Sequence, residues 1–407
     1  RAKSVGVAKF GNRSGAGLAT EKADGLAIMK QCEALAARGA DVELVVPNRR
    51  NSLKGDPFSY YEIKHRFPLT TLFTVDLIRF GYLGFIIQET TFALAVARYM
   101  RGKEGVIYSR DEVILWLLSM FGYKHFIWES HTGGWNNAAR AVVKKAKHVV
   151  VISHGLKDFY GEHGRSHRRR EGAARAVAQK AKHLVVISQG LKDFYVAQGI
   201  PAQKITVLPS AIDLDDFSHP ESKEAARTRL GLPPNTKIAM YIGRLDGWKG
   251  SATLLEASQF LHSDIKVVIV GGEPAQVAAL QEGYPNVVFL GFHPYSELAN
   301  NQVAADVLVV PNTGKDEISV HFTSPLKLIA HMASGIPIVA SDLPSIREIT
   351  GDDAALLVPA DDPKALAKGV ERVLNDPALA ARFSQSARAT VATYTWTARA
   401  EKIIALP

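Results

Sequence analysis

The stretch Ile238-Ala-Met-Tyr-Ile-Gly243-Arg244-Leu-Asp-Gly-Trp-Lys249-Gly250 decides the fold. Five apolar residues stop at a glycine, and a helical pattern takes over. An unbroken apolar run is what a strand buried on both faces needs. The same unit returns along the second half of the chain, at 267–270, 287–290, 307–310, 336–340 and 356–359. Each run is rich in Val and Ile or Leu, with helical segments between. Strands alternating with helices predict a mainly parallel sheet with helices on its faces.

Working outward, the first half has the same grammar. Apolar runs lie at 5–10, 42–46, 106–108, 125–128, 149–152 and 205–208, and helical spacing fills 21–37, 75–100 and 113–121. The alternation breaks near 213–225. This predicts an α/β chain of two doubly wound, Rossmann-like domains, 1–215 and 216–393, facing a central cleft. A C-terminal helix in 394–407 is expected to cross back to the first domain. Ligands of such sheets bind at the carboxyl ends of the strands.

One feature departs from that grammar. Residues 138–161 return at 173–196 with 19 of 24 positions identical, at an offset of 35 residues. Two copies do not make a solenoid. They read as a tandem duplication of helix, strand, turn and helix, natural or introduced. One copy must be housed as an extra unit. The basic run Arg165-Ser-His-Arg-Arg-Arg170 between the copies reads as a solvated linker.

The chain has 407 residues and a formal net charge of +9. The cations are dispersed, which disfavours nucleic acid and favours phosphate ligands or an anionic membrane surface. Cys32 is the only cysteine, so no intrachain disulfide can form and a cytoplasmic setting is expected. The first residues already read as a strand, so no leader is expected at this start. The apolar segment 77–100 contains Arg79, Glu89 and Arg98. It therefore reads as a buried or surface-docked helix, with peripheral contact at the inner face of the membrane left open.

The chemistry is expected where strands end. Gly243 lets the chain turn, and Arg244 and Lys249 can then hold a diphosphate and neutralise it as a leaving group. A surface loop with two solvated cations is the other reading. In His321-Phe-Thr323-Ser324-Pro325-Leu326-Lys327-Leu-Ile-Ala330 a helix begins, with Thr323 or Ser324 as cap and Pro325 in its first turn. Such a start can bind an anion, assisted by Ser324 and Lys327, or can be an ordinary capped helix. Gly271 and Gly272 admit a nucleotide close to the backbone. In the first half, His131 follows a strand and can orient a hydroxyl, or be structural. Arg110 and Asp111 could touch an acceptor, or pair with each other. No metal site is expected.

These residues, in this order, resemble the GT4 family of retaining glycosyltransferases, whose fold is GT-B. Arg244 and Lys249 look like the family's phosphate-binding pair. The stretch from Lys315, Asp316 and Glu317 through Thr323-Ser-Pro-Leu-Lys327 to Met332-Ala-Ser-Gly335 looks like a branch of its donor loop. The resemblance implies transfer from a UDP- or GDP-linked sugar to a glycan, lipid-linked or small-molecule acceptor, without a cofactor or metal. By resemblance His131 matches the active-site histidine. The family carries two glutamates eight positions apart, and here those positions are Phe322 and Ala330. The second should hold the ribose hydroxyls, which an alanine cannot do. A binding protein of impaired activity and a sugar-nucleotide epimerase of the same architecture are the competing readings. A nicotinamide dehydrogenase is disfavoured, because Gly11, Gly15 and Gly17 have the wrong spacing for a dinucleotide fingerprint.

Overall fold

The structure is a computed structural model of the chain. It describes residues 4–7, 23–48, 55–77, 80, 82–103, 106–109, 118, 126–130, 148–151, 184–197, 199, 201–245 and 247–406. The chain divides into two compact units. The first comprises 1–187, 191–208 and 396–407; the second comprises 188–190 and 209–395.

The first unit is built on eight strands: β1 (Ser4–Val7), β2 (Val42–Pro47), β3 (Leu69–Leu72), β4 (Val106–Ser109), β5 (Phe126–Ser130), β6 (His148–Val151), β7 (Leu184–Val186) and β8 (Ile205–Val207). Their order is β3-β2-β1-β4-β5-β6-β7-β8, and every pairing is parallel. The described helices that accompany them are α1 (Ala23–Ala37), α2 (Pro57–Tyr60), α3 (Tyr82–Tyr99) and α4 (Gln189–Ala197).

The second unit holds β9 (Lys237–Ile242), β10 (Ile265–Val270), β11 (Val287–Gly291), β12 (Val307–Val310), β13 (Ile338–Ser341) and β14 (Leu356–Val358), in the order β11-β10-β9-β12-β13-β14, again all parallel. Its helices are α5 (Lys223–Arg229), α6 (Ser251–Ala257), α7 (Pro274–Gly283), α8 (Leu298–Gln302), α9 (Glu317–Val320), α10 (Leu326–Ser334), α11 (Pro344–Thr350), α12 (Pro363–Asn375) and α13 (Pro377–Val391). The last helix, α14 (Trp396–Ile404), belongs to the first unit. It lies on α1, where Arg399 donates to Gln31 and Arg38 pairs with Glu401 at 2.5 Å.

The second sheet shows why its strands read as unbroken apolar runs. Successive side chains of a strand point to opposite faces. Ile238 and Met240 enter one buried cluster with Val268, Val270, Leu308 and Ile338. Ala239 and Tyr241 enter the opposite one with Val267, Ile269, Val309 and Val339. Both faces are covered, so neither parity can be polar.

The duplication is absorbed as an added strand. β6 comes from the first copy and β7 from the second, and they pair side by side. Val149 faces Leu184 and Val150 faces Val185, so each partner is its own repeat equivalent, 35 residues on. β6 also pairs β5, and β7 pairs β8. Copies of one strand carry the same pattern, so pairing in register keeps both faces consistent. The rest of the first copy and the basic run at 165–170 lie outside the described residues, as does nearly all of the helix expected at 113–121.

One strand escaped the reading of the sequence. β3 is the sheet's edge, only four residues long, with Thr70 and Thr71 in its middle and no fully buried position. An edge strand needs less apolar surface, so it leaves a faint pattern.

Candidate functional site

The carboxyl ends of three neighbouring strands in the second unit are laced together by backbone hydrogen bonds. Gly243 N–H donates to Val270 O at 2.9 Å, and Gly271 N–H donates to Gly291 O at 2.6 Å. Gly271, at φ +129°, lies so close to β9 that a Cβ there would sit 2.1 Å from Gly243 O. Only a residue without a side chain permits that approach. Gly243, Gly271 and Gly272 are thus brought together as one thin-walled rim.

Arg244 is exposed on this rim. Its carbonyl accepts a 2.6 Å hydrogen bond from the hydroxyl of Tyr241, a side chain that is itself fully buried. The ammonium of Lys327 sits 4.7 Å from the centre of the same Tyr241 ring. Tyr241 therefore ties the backbone of the turn after β9, at Arg244, and the ammonium of Lys327 from α10 to one strand end. Sequence reasoning passed over it because an aromatic in a buried strand reads as core. The available signal was its place two residues before the Gly-Arg turn.

Lys249 stands in a 3-10 turn, Gly247–Lys249, with its ammonium 3.6 Å from the Trp248 ring centre. Gly250 follows at φ +71°, and a Cβ on it would fall 1.7 Å from Pro311 O. Thr313 N–H adds a 3.3 Å bond to Trp248 O. The Lys249 turn is thereby docked on the segment leaving β12. That segment is strapped in turn by Asp361, which accepts from Thr313 Oγ1 at 2.5 Å and from Gly314 N–H at 2.8 Å. Glu317 is exposed at the head of α9, the short helix that touches the Lys249 turn.

The start of α10 differs from the expected cap. Pro325 occupies the N-cap position and no side chain caps the helix. Ser324 is buried, its Oγ accepting from Ser210 N–H at 2.9 Å and its carbonyl from Ser210 Oγ at 2.8 Å. Thr323 is buried beside it. The hydroxyl expected to cap the helix is used to pin the segment after β8, a tertiary contact no local pattern reveals. Helix geometry still leaves the amides of the first turn, including those of Leu326 and Lys327, without partners inside the helix. Ala330, one turn further on, is buried in the core.

His331 follows it, fully buried, with Nδ1 accepting from Gln302 Nε2 at 2.9 Å. Burial, and then the positive charge of Lys327 one turn earlier, push its imidazole down to about 3. The ring is therefore held in its neutral form. His131, Arg110 and Asp111 lie outside the described residues.

Two doubly wound parallel units with this strand order define a protein of GT-B fold. A sucrose-phosphate synthase from Thermosynechococcus elongatus superposes over 98% of this chain and 97% of its own, with a TM-score of 0.70 at 21% identity. The Anabaena protein HepE, solved with UDP and glucose, does so over 98% of each chain, with a TM-score of 0.68 at 16% identity. At these identities the likeness is one of fold.

The sequence carries the family. Residues 236–376 match the model of glycosyl transferases group 1, and residues 25–211 match the glycosyl transferase 4-like domain. The chain belongs to the GT4 family of glycosyltransferases. A phosphatidyl-myo-inositol mannosyltransferase of Mycobacterium tuberculosis is 32% identical over 209 residues, 48% of this chain and 52% of that one. The chain thus spans about half the length of the curated relative it matches.

Proposed function

We propose that the chain is a retaining glycosyltransferase that binds a UDP- or GDP-linked sugar at the strand ends of the second unit. It passes the sugar to a glycan, lipid-linked or small-molecule acceptor, with no catalytic metal. The observation that carries this reading is the meeting at Tyr241 of the Arg244 backbone and the Lys327 ammonium, beside the close approach of Gly271 to Gly243. Two cations at the end of a buried strand, next to a backbone stripped of side chains, suit a diphosphate. HepE, a fold relative, was solved with UDP and glucose.

In the proposed reaction Arg244 and Lys249 neutralise the charge that grows on the departing diphosphate. The first-turn amides of α10 and Lys327 hold its distal phosphate. Glu317, exposed at the head of α9, faces donor hydroxyls. His131 contacts the donor sugar or orients the reacting face, and Arg110 and Asp111 serve the acceptor side. The acceptor hydroxyl attacks on the face the nucleotide leaves, so no separate base is required.

The test is calorimetric titration with UDP and with GDP. One of them should bind, and Arg244→Ala should weaken it about ten-fold or more, the scale of a lost charge-assisted hydrogen bond. A folded sample that binds neither would overturn the site. Ala330→Glu restores a carboxylate where the family resemblance places the ribose contact. It should tighten nucleotide binding about ten-fold, with some loss of melting temperature because that position is core.

A further inference from the structure

The turn after β9 puts an aromatic residue, Trp248, directly before the second cation of the proposed site, Lys249. In the 3-10 turn Gly247–Lys249 the two side chains meet, with the Lys249 ammonium 3.6 Å from the centre of the Trp248 ring. A ring face attracts a cation within about 6 Å, and indole is the strongest such face. Trp248 is half-buried, and its backbone is fixed from behind. Its carbonyl accepts from Thr313 N–H at 3.3 Å, and Gly250 lies against Pro311 O. The ring is thus carried on a docked turn, and the flexible four-carbon stem of the lysine is the part that needs holding.

Lys327 repeats the arrangement from another element. Its ammonium stands 4.7 Å from the centre of the Tyr241 ring, and Tyr241 is fully buried. Both lysines at these strand ends therefore have an aromatic face beside them, one from the neighbouring residue and one from β9. A ring face steers an ammonium without cancelling its charge, as a carboxylate would. The charge stays available to an incoming phosphate.

We propose that Trp248 is the positioning residue for Lys249. Its indole face orders the lysine side chain before the nucleotide arrives, so that a diphosphate meets a cation already in place. Ordering a side chain in advance removes a cost from binding. This inference rests on the reading of Arg244 and Lys249 as the diphosphate site, and adds to it a residue that acts through Lys249.

The first measurement needs no nucleotide. Lysines of the full chain are reductively methylated with isotope-labelled formaldehyde, which keeps their charge, and the methyl resonances are recorded. Methyl groups above an aromatic face are shifted upfield. One such signal should vanish in Lys249→Ala and move to the ordinary lysine position in Trp248→Leu. Lys103, 3.5 Å from the Tyr99 ring centre, supplies a ring-shifted signal that neither substitution should move. A parent spectrum with no ring-shifted signal assignable to Lys249 would overturn the proposal, even if nucleotide binds as expected.

The second measurement is a double-mutant cycle, read by titration with whichever of UDP and GDP binds the parent. Trp248→Leu should weaken binding about three- to five-fold, whereas Trp248→Phe, which keeps a ring, should cost less than about two-fold. In a Lys249→Ala background Trp248→Leu should change affinity by less than about 1.5-fold, because no ammonium is left to hold. An equal loss in both backgrounds would show that Trp248 touches the nucleotide or only braces the turn, and would overturn the proposal. Tighter binding by Trp248→Leu would also overturn it, since the ring would then be holding the lysine away from the phosphate. A parent that shows the Lys249 signal yet binds neither nucleotide would overturn the diphosphate reading itself, and this inference with it.

Discussion

The two sheets share a winding order and differ in what they carry. Read from the outer edge, β3-β2-β1-β4-β5-β6 and β11-β10-β9-β12-β13-β14 follow the same path. The first sheet then continues through β7 and β8, while the second stops at six strands. Alternating apolar runs and helices specify that path in both. They say nothing of chemistry; the chemistry proposed for the second unit draws on the residues that end its strands: Gly243 and Arg244, Gly271 and Gly272, Gly291. Topology is set by what the strands bury, and the candidate site by where they stop.

That contrast predicts its largest effect at the strand ends. Arg244→Ala and Lys249→Ala should each lower transfer about 10²- to 10³-fold, some 3–4 kcal/mol of lost transition-state stabilisation. The melting temperature should barely move, because Arg244 is exposed and Lys249 lies on a turn. Parallel steady-state kinetics and thermal unfolding would check this. Rate and stability falling together would mean that these cations hold the fold rather than the diphosphate.

Gly250→Ala should do the reverse. The position combines φ +71° with a backbone carbonyl 1.7 Å from where Cβ would stand. The docked turn has to open, at a cost of about 2–3 kcal/mol of stability. Urea unfolding would measure it, and an unchanged midpoint would show that the turn bearing Lys249 is not held by this contact. Lys249 would then owe its place to something other than the β12 segment.

Much of the fold was legible because burial on both faces forces unbroken apolar strands, as at 238–242 and 307–310. β3 was not, since an edge strand with Thr70 and Thr71 at its centre lacks that constraint. At the candidate site the glycines and cations stood out as punctuation. What stayed hidden were tertiary uses of ordinary residues: Tyr241 beneath Lys327, Ser210 holding Ser324, Asp361 strapping Thr313. Each pairs residues that local patterns cannot connect.

His331 is another such residue, and it yields a pH dependence smaller than the first two effects. Its imidazole ordinarily titrates at 6.5 and is held to about 3 in the fold. Below 6.5 the unfolded chain gains a proton that the folded chain refuses, so unfolding becomes easier as pH falls. The stability linked to this ring is complete above 6.5 and drains as pH drops toward 3, amounting to about 2 kcal/mol by about pH 5. The groups facing the ring are Lys327, which disfavours its protonation, and Gln302, which donates to Nδ1. His331→Leu should flatten the slope of stability against pH between about 7 and 5. Equal slopes in parent and variant would show that the ring takes up its proton without unfolding.

The smallest effect should come from the most conspicuous anomaly of the sequence. Excising residues 138–172 joins Asn137 to Ala173 and leaves one copy of the repeat. The second copy then stands directly after β5. Because β6 and β7 pair with repeat-equivalent residues opposed, Ile127, which faces His148 in the parent, can face His183 with the same residue type and the same strand face. β8 keeps its partner in β7. The first sheet becomes seven strands, no core parity is reversed, and the second unit is untouched. Nucleotide affinity should stay within about two-fold, since one pair of strand interfaces is exchanged for an equivalent one. Titration of the excised chain beside the parent would check this. Lost solubility would mean that the sheet has come to depend on its eighth strand. Lost binding in a folded protein would mean that the first sheet's width reaches the nucleotide site.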